Sequence, residues 1–331
     1  GYKLPTTNYL PFATNIALDS NDAPVNARTS TVTFAAKADF TKPAGTYKLA
    51  INFTAVANPL PAHTIADGGN MQDISSLAEG GCPDTLTTGQ AYTLIDSRDN
   101  TSYKVARLAD GNCWLLDNLA LDLTDSTTMA ALTPSNTNAD ANSLTSLRSG
   151  NRAVGNQYAS SGFVAWDSSD ENKADVYNQA KANAVSKDTV VTSYGSGSGK
   201  VGVYYNFCAA SAGSYCYDQG DAPEDTNASQ DICPKGWRIP TGNAIGEYTA
   251  LLNAYDNMTA TDTDSLQYNL STPLSGFFTS GSAYNQGSYG EFWSSSMVGG
   301  SEMLLLNVDS SYVTTQDDRR YEGFSVRCLL Q

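Results

Sequence analysis

Along residues 46–57 (TYKLAINFTAVA) hydrophobic and polar positions alternate, with Leu49, Ile51, Phe53 and Ala55 forming one apolar face. A period of two predicts a half-buried strand. A second strand is predicted over 30–37 (STVTFAAK), with a turn at Pro43 and Gly45 between the two. Two or three strands cannot bury both of their faces. This stretch therefore reads as the end of a β-sandwich whose other strands are missing or come from a neighbour. Further on, 91–96 (AYTLID) and 101–108 (TSYKVARL) alternate in the same way and are joined by SRDN, which predicts a hairpin. The apolar run 111–123 (GNCWLLDNLALDL) predicts core, and 201–207 (VGVYYNF) predicts a strand. At 245–255 the period changes. Ile245, Tyr248, Leu252 and Tyr255 fall on one helical face with Leu251 beside it, and Pro240 before Thr241 or Asn243 marks a capped start. Residues 290–296 (GEFWSSS), 303–308 (MLLLNV) and 323–330 (GFSVRCLL) predict a terminal meander of strands.

These signals divide the chain into a partial sandwich at 1–59, a linker at 60–70 and an α+β domain at 71–331. Within that domain 124–200 is a polar insertion rich in Ser, Thr, Asn, Asp and Gly. Its segment 170–185 (DENKADVYNQAKANAV) has helix-forming composition, and GSGSG at 195–199 makes a flexible loop. Long insertions of this kind run over the surface and often carry function.

Charge narrows the choice of partners. Charged residues are 16% of the 331, against about 25% in an average domain, so Ser, Thr, Asn, Gly and Tyr carry much of the polar surface. Acidic residues outnumber basic ones 34 to 19, a net charge of −15. Such a field repels phosphate, which argues against nucleic acid and anionic membranes as partners. No apolar run is long enough to span a bilayer, so direct membrane insertion is not expected. The single histidine, His63, leaves no material for His-dependent triads or His-rich metal sites. The six cysteines are Cys82, Cys113, Cys208, Cys216, Cys233 and Cys328. An even number without a CxxC pair suits an oxidising compartment better than zinc. The chain opens at Gly1, and an export signal or anchor is expected to lie upstream or to have been removed.

CPKGWRIPT at 233–241, a short helix, FWSSS at 292–296 and GFSVRC at 323–328 follow one another in that order. Upstream, DSRDNTSYKVARLADGNCWLLDNLAL and VGVYYNFCAASAG extend the series. The ordered set resembles the Fibrobacter succinogenes major paralogous (FISUMP) domain across 71–331, interrupted by the insertion. That resemblance implies a C-type-lectin-like fold. KPAGTYKLAINFTAVANP resembles the closing strands of an Ig-like module found before such domains in exported surface proteins of ultrasmall, host-associated bacteria. The implied fold class is thus α+β, a C-type-lectin-like domain behind an Ig-like β-sandwich remnant. The fold returns its last strand beside earlier elements, which implies a Cys233–Cys328 bridge. Cys208 and Cys216 are near neighbours and read as a local bridge, and Cys82 and Cys113 remain, bracketing the hairpin. Some domains of this kind are variable proteins of diversity-generating retroelements, varied between the WSS motif and the terminal GFSVRC. Here that window is 297–322.

The expected function is that of an extracellular, cell-surface adhesin rather than an enzyme, recognising a protein or glycan on another cell surface through this window. Its candidate ligand-binding residues are Met297, Glu302, Asn307, Asp309, Tyr312, Thr314, Gln316, Asp317, Asp318, Tyr321 and Glu322. Alternation sends Leu304, Leu306 and Val308 to one face and Met303, Leu305 and Asn307 to the other, with one set expected in the core. The run from Asp309 to Glu322 is expected to be exposed, with Gln316 to Arg320 as a charged loop and Arg320 in either a structural or a surface role. Trp114, Trp237 and Trp293 read as core, and Trp166 as core or a stacking platform. No catalytic residue, metal ligand or cofactor is expected. Calcium is the one ion considered, through Asp167, Asp170 and Glu171 or through Asp218, Asp221 and Glu224, although neither set follows a known calcium motif. Two other readings stand beside the adhesin. One is a structural or assembly subunit completed by strand exchange. The other is an enzyme, either formylglycine-generating-like or a hydrolase using carboxylates such as Glu224 and Asp225 or Asp317 and Asp318.

Overall fold

The alternating segments at 91–107 form the predicted hairpin, and a six-stranded sheet is built around it. The computed structural model describes residues 2–3, 33–34, 65–75, 81–123, 125–149, 163–166, 174–177, 187–193, 197–213, 215, 225–255, 270–279, 282–299, 302–309, 312–320 and 322–331. The chain divides into two units, Gly1–Ala62 and His63–Gln331. In the first, β1 (Tyr2–Lys3) pairs antiparallel with β2 (Thr33–Phe34). The strand predicted at 46–57 lies outside the described residues.

The second unit begins with β3 (Gly69–Asn70), α1 (Met71–Ser75), β4 (Ala91–Asp96), β5 (Thr101–Arg107) and β6 (Cys113–Leu115). Then come α2 (Ser126–Ala131), α3 (Ala141–Ser149), β7 (Phe163–Trp166), β8 (Ala174–Tyr177), β9 (Val190–Thr192) and β10 (Ser198–Lys200). Next are α4 (Phe207–Ala210), β11 (Thr226–Asn227), β12 (Trp237–Arg238), α5 (Glu247–Ala254), β13 (Phe277–Thr279) and β14 (Ser282–Tyr284). The last four are β15 (Gly290–Gly299), β16 (Glu302–Val308), β17 (Val313–Arg319) and β18 (Leu329–Leu330). One sheet runs β12-β18-β6-β5-β4-β3 and the other β11-β15-β16-β17, with three separate hairpins, β7-β8, β9-β10 and β13-β14. Among the described pairs of strands β3–β4 alone is parallel. The architecture is α+β and rich in sheet.

The two largest apolar clusters among the described residues hold these layers together. Trp237, Trp293, Met303, Leu305, Phe324 and Val326 belong to the larger one. Trp114, Tyr248, Leu251, Phe292, Leu306 and Leu329 belong to the second, which α5 covers. Trp114, Trp237 and Trp293 are fully buried, as their motifs predicted. Trp114 stacks on Tyr248 at 5.7 Å and Trp293 meets Phe324 edge-on at 4.6 Å. Arg327 is buried in the final segment and joins three parts of the fold. Its Nε donates to Asn118 Oδ1 at 2.9 Å, and its Nη1 donates to the carbonyls of Leu115 at 2.9 Å and Leu270 at 3.1 Å. Burial pulls its pKa down to about 10.

The Cys82–Cys113 and Cys233–Cys328 bridges both form. Cys208 is also in a disulfide, while Cys216 lies outside the described residues. These bridges fit an oxidising, extracellular environment. Among the described residues no helix is long and apolar enough to cross a membrane.

Several local expectations are corrected. Residues 65–70, read as linker, belong to the folded unit, because Ile65 is buried and β3 pairs with β4. Within the stretch of helical composition, Ala174–Tyr177 is a strand paired with β7, since pairing outweighs a weak propensity. Residues 201–206 are irregular and α4 starts at Phe207, where the Asn206 side chain caps it by accepting from the Ala209 N–H. Ile245 is 94% exposed and precedes the helix, whose first position is Glu247. Thr241 still serves that helix start, because its hydroxyl accepts the Glu247 N–H at 3.1 Å. The 323–330 segment does not complete the terminal meander. β17 takes that place, and the chain end crosses to the other sheet, where β18 lies between β12 and β6.

Candidate functional site

Directly opposed residues in an antiparallel sheet share a face. One face of the β15–β16–β17 meander therefore carries the rows Glu291–Asn307–Thr314, Trp293–Leu305–Gln316 and Met297–Met303–Asp318. The other carries Phe292–Leu306–Thr315 and Gly290–Val308–Val313. Both alternating sets in β16 are mainly buried, contrary to the expectation of one core face, because α5 and its neighbours form a second apolar layer. At β17 the character changes. Val313, Thr314, Thr315, Gln316 and Asp318 are half-buried, and Asp317 and Arg319 are exposed. Gln316 to Arg319 is thus strand rather than loop.

The candidate residues separate along these lines. Met297 is 1% exposed and lies in the core, which corrects its placement on the outer surface. Asn307, at 3%, and Asp309, at 6%, are also buried rather than displayed. Asp309 shapes the turn by accepting the Tyr312 N–H at 2.9 Å. Glu302, Tyr312 and Asp317 are exposed, and Thr314, Gln316, Asp318 and Glu322 are half-buried. Tyr321 lies outside the described residues. So do Trp166's side chain and both candidate calcium sets. Arg320 is buried, and its carbonyl accepts the Phe207 N–H at 2.9 Å, so it has a structural position.

The structure brings together a polar cluster that spacing alone did not reveal. Asn307 donates through Nδ2 to Gln316 Oε1 at 3.0 Å. Thr279 of β13 donates to Glu322 Oε1 at 3.3 Å. Phe278 and Gly323 exchange backbone hydrogen bonds at 2.7 Å, which fixes the β13–β14 hairpin beside Glu322. Burial raises the Asp318 carboxyl, and burial followed by the Asp318 charge raises Glu322 to about 7. Glu291, which no sequence motif singled out, stands opposite Asn307 on the same face of the meander. It is 4% exposed, and burial, then the charges of Asp318 and Glu322, push its carboxyl up to about 8. The available signal was an acidic residue inside the apolar GEFW run. Among the described residues no group of three His, Cys, Asp or Glu is placed to hold a metal ion.

The hairpin behind Glu322 depends on Gly276, whose φ is +64°. A Cβ there would stand 1.9 Å from the Tyr284 carbonyl oxygen. Gly276→Ala should therefore cost about 2 kcal/mol or more and lower the thermal midpoint by several degrees. An unchanged midpoint in thermal unfolding contradicts this account of the hairpin.

The chain matches no protein-family model, no curated protein and no solved structure.

Proposed function

We propose that this chain is an extracellular, cell-surface adhesin that recognises a protein or glycan on another cell through the β17 side of its C-terminal meander. The supporting observation is a sheet buried on both faces at β15 and β16 that ends in a polar, half-exposed strand. A stiff platform with polar and aromatic side chains at its margin loses little entropy on binding, which favours recognition. On the same reading the domain is C-type-lectin-like and of the FISUMP kind, preceded by an Ig-like remnant. The closure of the chain end between β12 and β6 and the Cys233–Cys328 bridge support that assignment. Retroelement diversification of 297–322 would act at Glu302, Tyr312 and the outward positions of β17, because Met297, Asn307 and Asp309 are committed to the interior.

The test is a screen of the intact protein against cell-wall glycans and surface proteins, repeated with the Tyr312→Ala/Thr314→Ala variant. Tyr312 is 47% exposed, so its removal leaves the core intact. Binding should fall about tenfold or more while the thermal midpoint moves by only a few degrees. Undiminished binding by the variant places the ligand face elsewhere, and no binding to any surface component sinks the adhesin reading.

A further inference from the structure

Glu291 and Asn307 face each other across β15 and β16, 4% and 3% exposed. The Glu291 carbonyl accepts the Ser325 N–H at 3.2 Å, on the edge of β15 away from β16. Glu291 and Asn307 are therefore a pair without mutual backbone hydrogen bonds, the geometry in which opposed side chains stand closest, with Cβ atoms about 4.5–5.5 Å apart. Glu291 Oε2 and Asn307 Oδ1 are both buried, and neither has a hydrogen-bond partner among the described residues. Buried oxygens of this kind are costly unless a donor reaches them. The donors around them are committed elsewhere. Asn307 Nδ2 donates to Gln316 Oε1 at 3.0 Å and the Thr314 hydroxyl to the Thr315 carbonyl at 3.2 Å. The Trp293 indole donates to the Tyr205 carbonyl at 2.7 Å and the Thr279 hydroxyl to Glu322 at 3.3 Å. What remains is the proton of the Glu291 carboxyl itself, with Asn307 Oδ1 as the acceptor opposite it.

We infer that Glu291, Asn307 and Gln316 form a hydrogen-bond relay across the three strands, in which the proton on Glu291 sets whether Gln316 offers its N–H or its carbonyl to a ligand. With the proton in place, the carboxyl donates to Asn307 Oδ1 and Asn307 Nδ2 donates to Gln316 Oε1. The Gln316 NH2 is then left for the half-exposed side of β17. A carboxylate only accepts. When the proton leaves to solvent, Asn307 turns its amide over, so that Nδ2 donates to Glu291 and Oδ1 accepts from Gln316 Nε2. Gln316 turns over in response and presents its carbonyl. A side-chain amide turned end for end exchanges donor and acceptor within the same volume, so neither state requires the core to repack. The relay does not depend on the adhesin reading. Its consequence for a ligand does, because it regulates the same β17 face.

Burial holds the proton on Glu291 up to about pH 8, helped by the charges of Asp318 and Glu322. Tyr204 and Tyr312 feel the charge of Glu291, Tyr289 acts on Tyr312, and Arg319 draws on Asp318 and Glu322. The test is carbon-detected nuclear magnetic resonance of the intact labelled protein from about pH 6 to about pH 9.5. It follows the Glu291 carboxyl carbon together with the side-chain carbonyl carbons and amide nitrogens of Asn307 and Gln316. All should move with one shared midpoint near pH 8. In Glu291→Gln both amides should stop responding. In Asn307→Leu, Glu291 should still titrate while Gln316 does not. A Gln316 response that persists in Glu291→Gln comes from Asp318 and Glu322 and overturns the relay. Amides that stay still across the whole range in the parent overturn it as well. Both of these outcomes are read without Asn307→Leu, so a failure of that variant to fold leaves the test intact. Amides that titrate together in a protein that binds no surface component keep the relay and end the adhesin reading. Still amides in a protein whose binding needs Tyr312 and Thr314 do the reverse.

Discussion

Replacing Cys233 and Cys328 together by alanine should destabilise the His63–Gln331 unit by about 2–5 kcal/mol in denaturant unfolding. The bridge closes a loop of 95 residues, and both sulfurs lie in fully buried positions of the main core. Cross-linking positions so far apart removes much of the freedom of the unfolded chain. The second bridge, Cys82–Cys113, spans 31 residues, and its loss should cost about 1 kcal/mol less on the same argument. The location of the longer bridge adds a functional consequence. Cys328 is next to β18, which joins β12 to β6, and Arg327 beside it ties Leu115, Asn118 and Leu270 together. Loosening this corner loosens the support beneath β15. A double variant that unfolds within about 1 kcal/mol of the parent would show that apolar packing alone holds the chain end.

Glu291→Gln should stabilise the protein at pH 8 and have much less effect near pH 4.5. Burial, then the charges of Asp318 and Glu322, raise the Glu291 carboxyl from 4.5 to about 8. Between those values the unfolded chain ionises this group while the folded protein keeps it protonated. The folded state therefore binds more protons, and stability falls as pH rises through that window. Each pH unit contributes about 1.4 kcal/mol, so the parent loses on the order of 4 kcal/mol that the amide variant keeps. Other groups facing this carboxyl set its background. Asp318 and Glu322 repel it from the β17 side, Arg319 draws on those two, and Tyr204 and Tyr312 lie within its field. Asp231, raised by burial to about 6, acts in the same direction elsewhere. Glu247 acts in the opposite direction. Burial would raise it, but hydrogen bonds from Arg238 and Thr241 outweigh that and hold it at about 2. Comparing the variant with the parent at each pH cancels these remote groups. A difference in thermal midpoint that stays constant from pH 4.5 to pH 8 would contradict the assignment of Glu291.

Local pattern made much of this molecule readable. The period of two at 91–107 found the β4–β5 hairpin, because alternation records which side of a strand meets the core. The apolar runs holding Trp114, Trp237 and Trp293 marked the interior, and the helical face at Tyr248, Leu251 and Leu252 marked α5. The Cys233–Cys328 pair came from the order of motifs rather than from spacing, and the bridge forms.

The amino-acid order by itself determined where strands and the α5 helix occur and which residues are apolar enough to be buried. Tertiary structure decided which strand pairs with which. That 313–319 rather than 323–330 completes the meander is a choice between two segments that can both form strands, and it is made by distant partners, Trp114 and Trp237, drawing Leu329 and Leu330 away. It also decided the site. Glu291 stands beside Asn307 because of strand register, and Glu322 stands beside Thr279 because Gly323 is held by Phe278. Neither proximity has a period along the chain, since each depends on backbone hydrogen bonds between segments far apart in sequence.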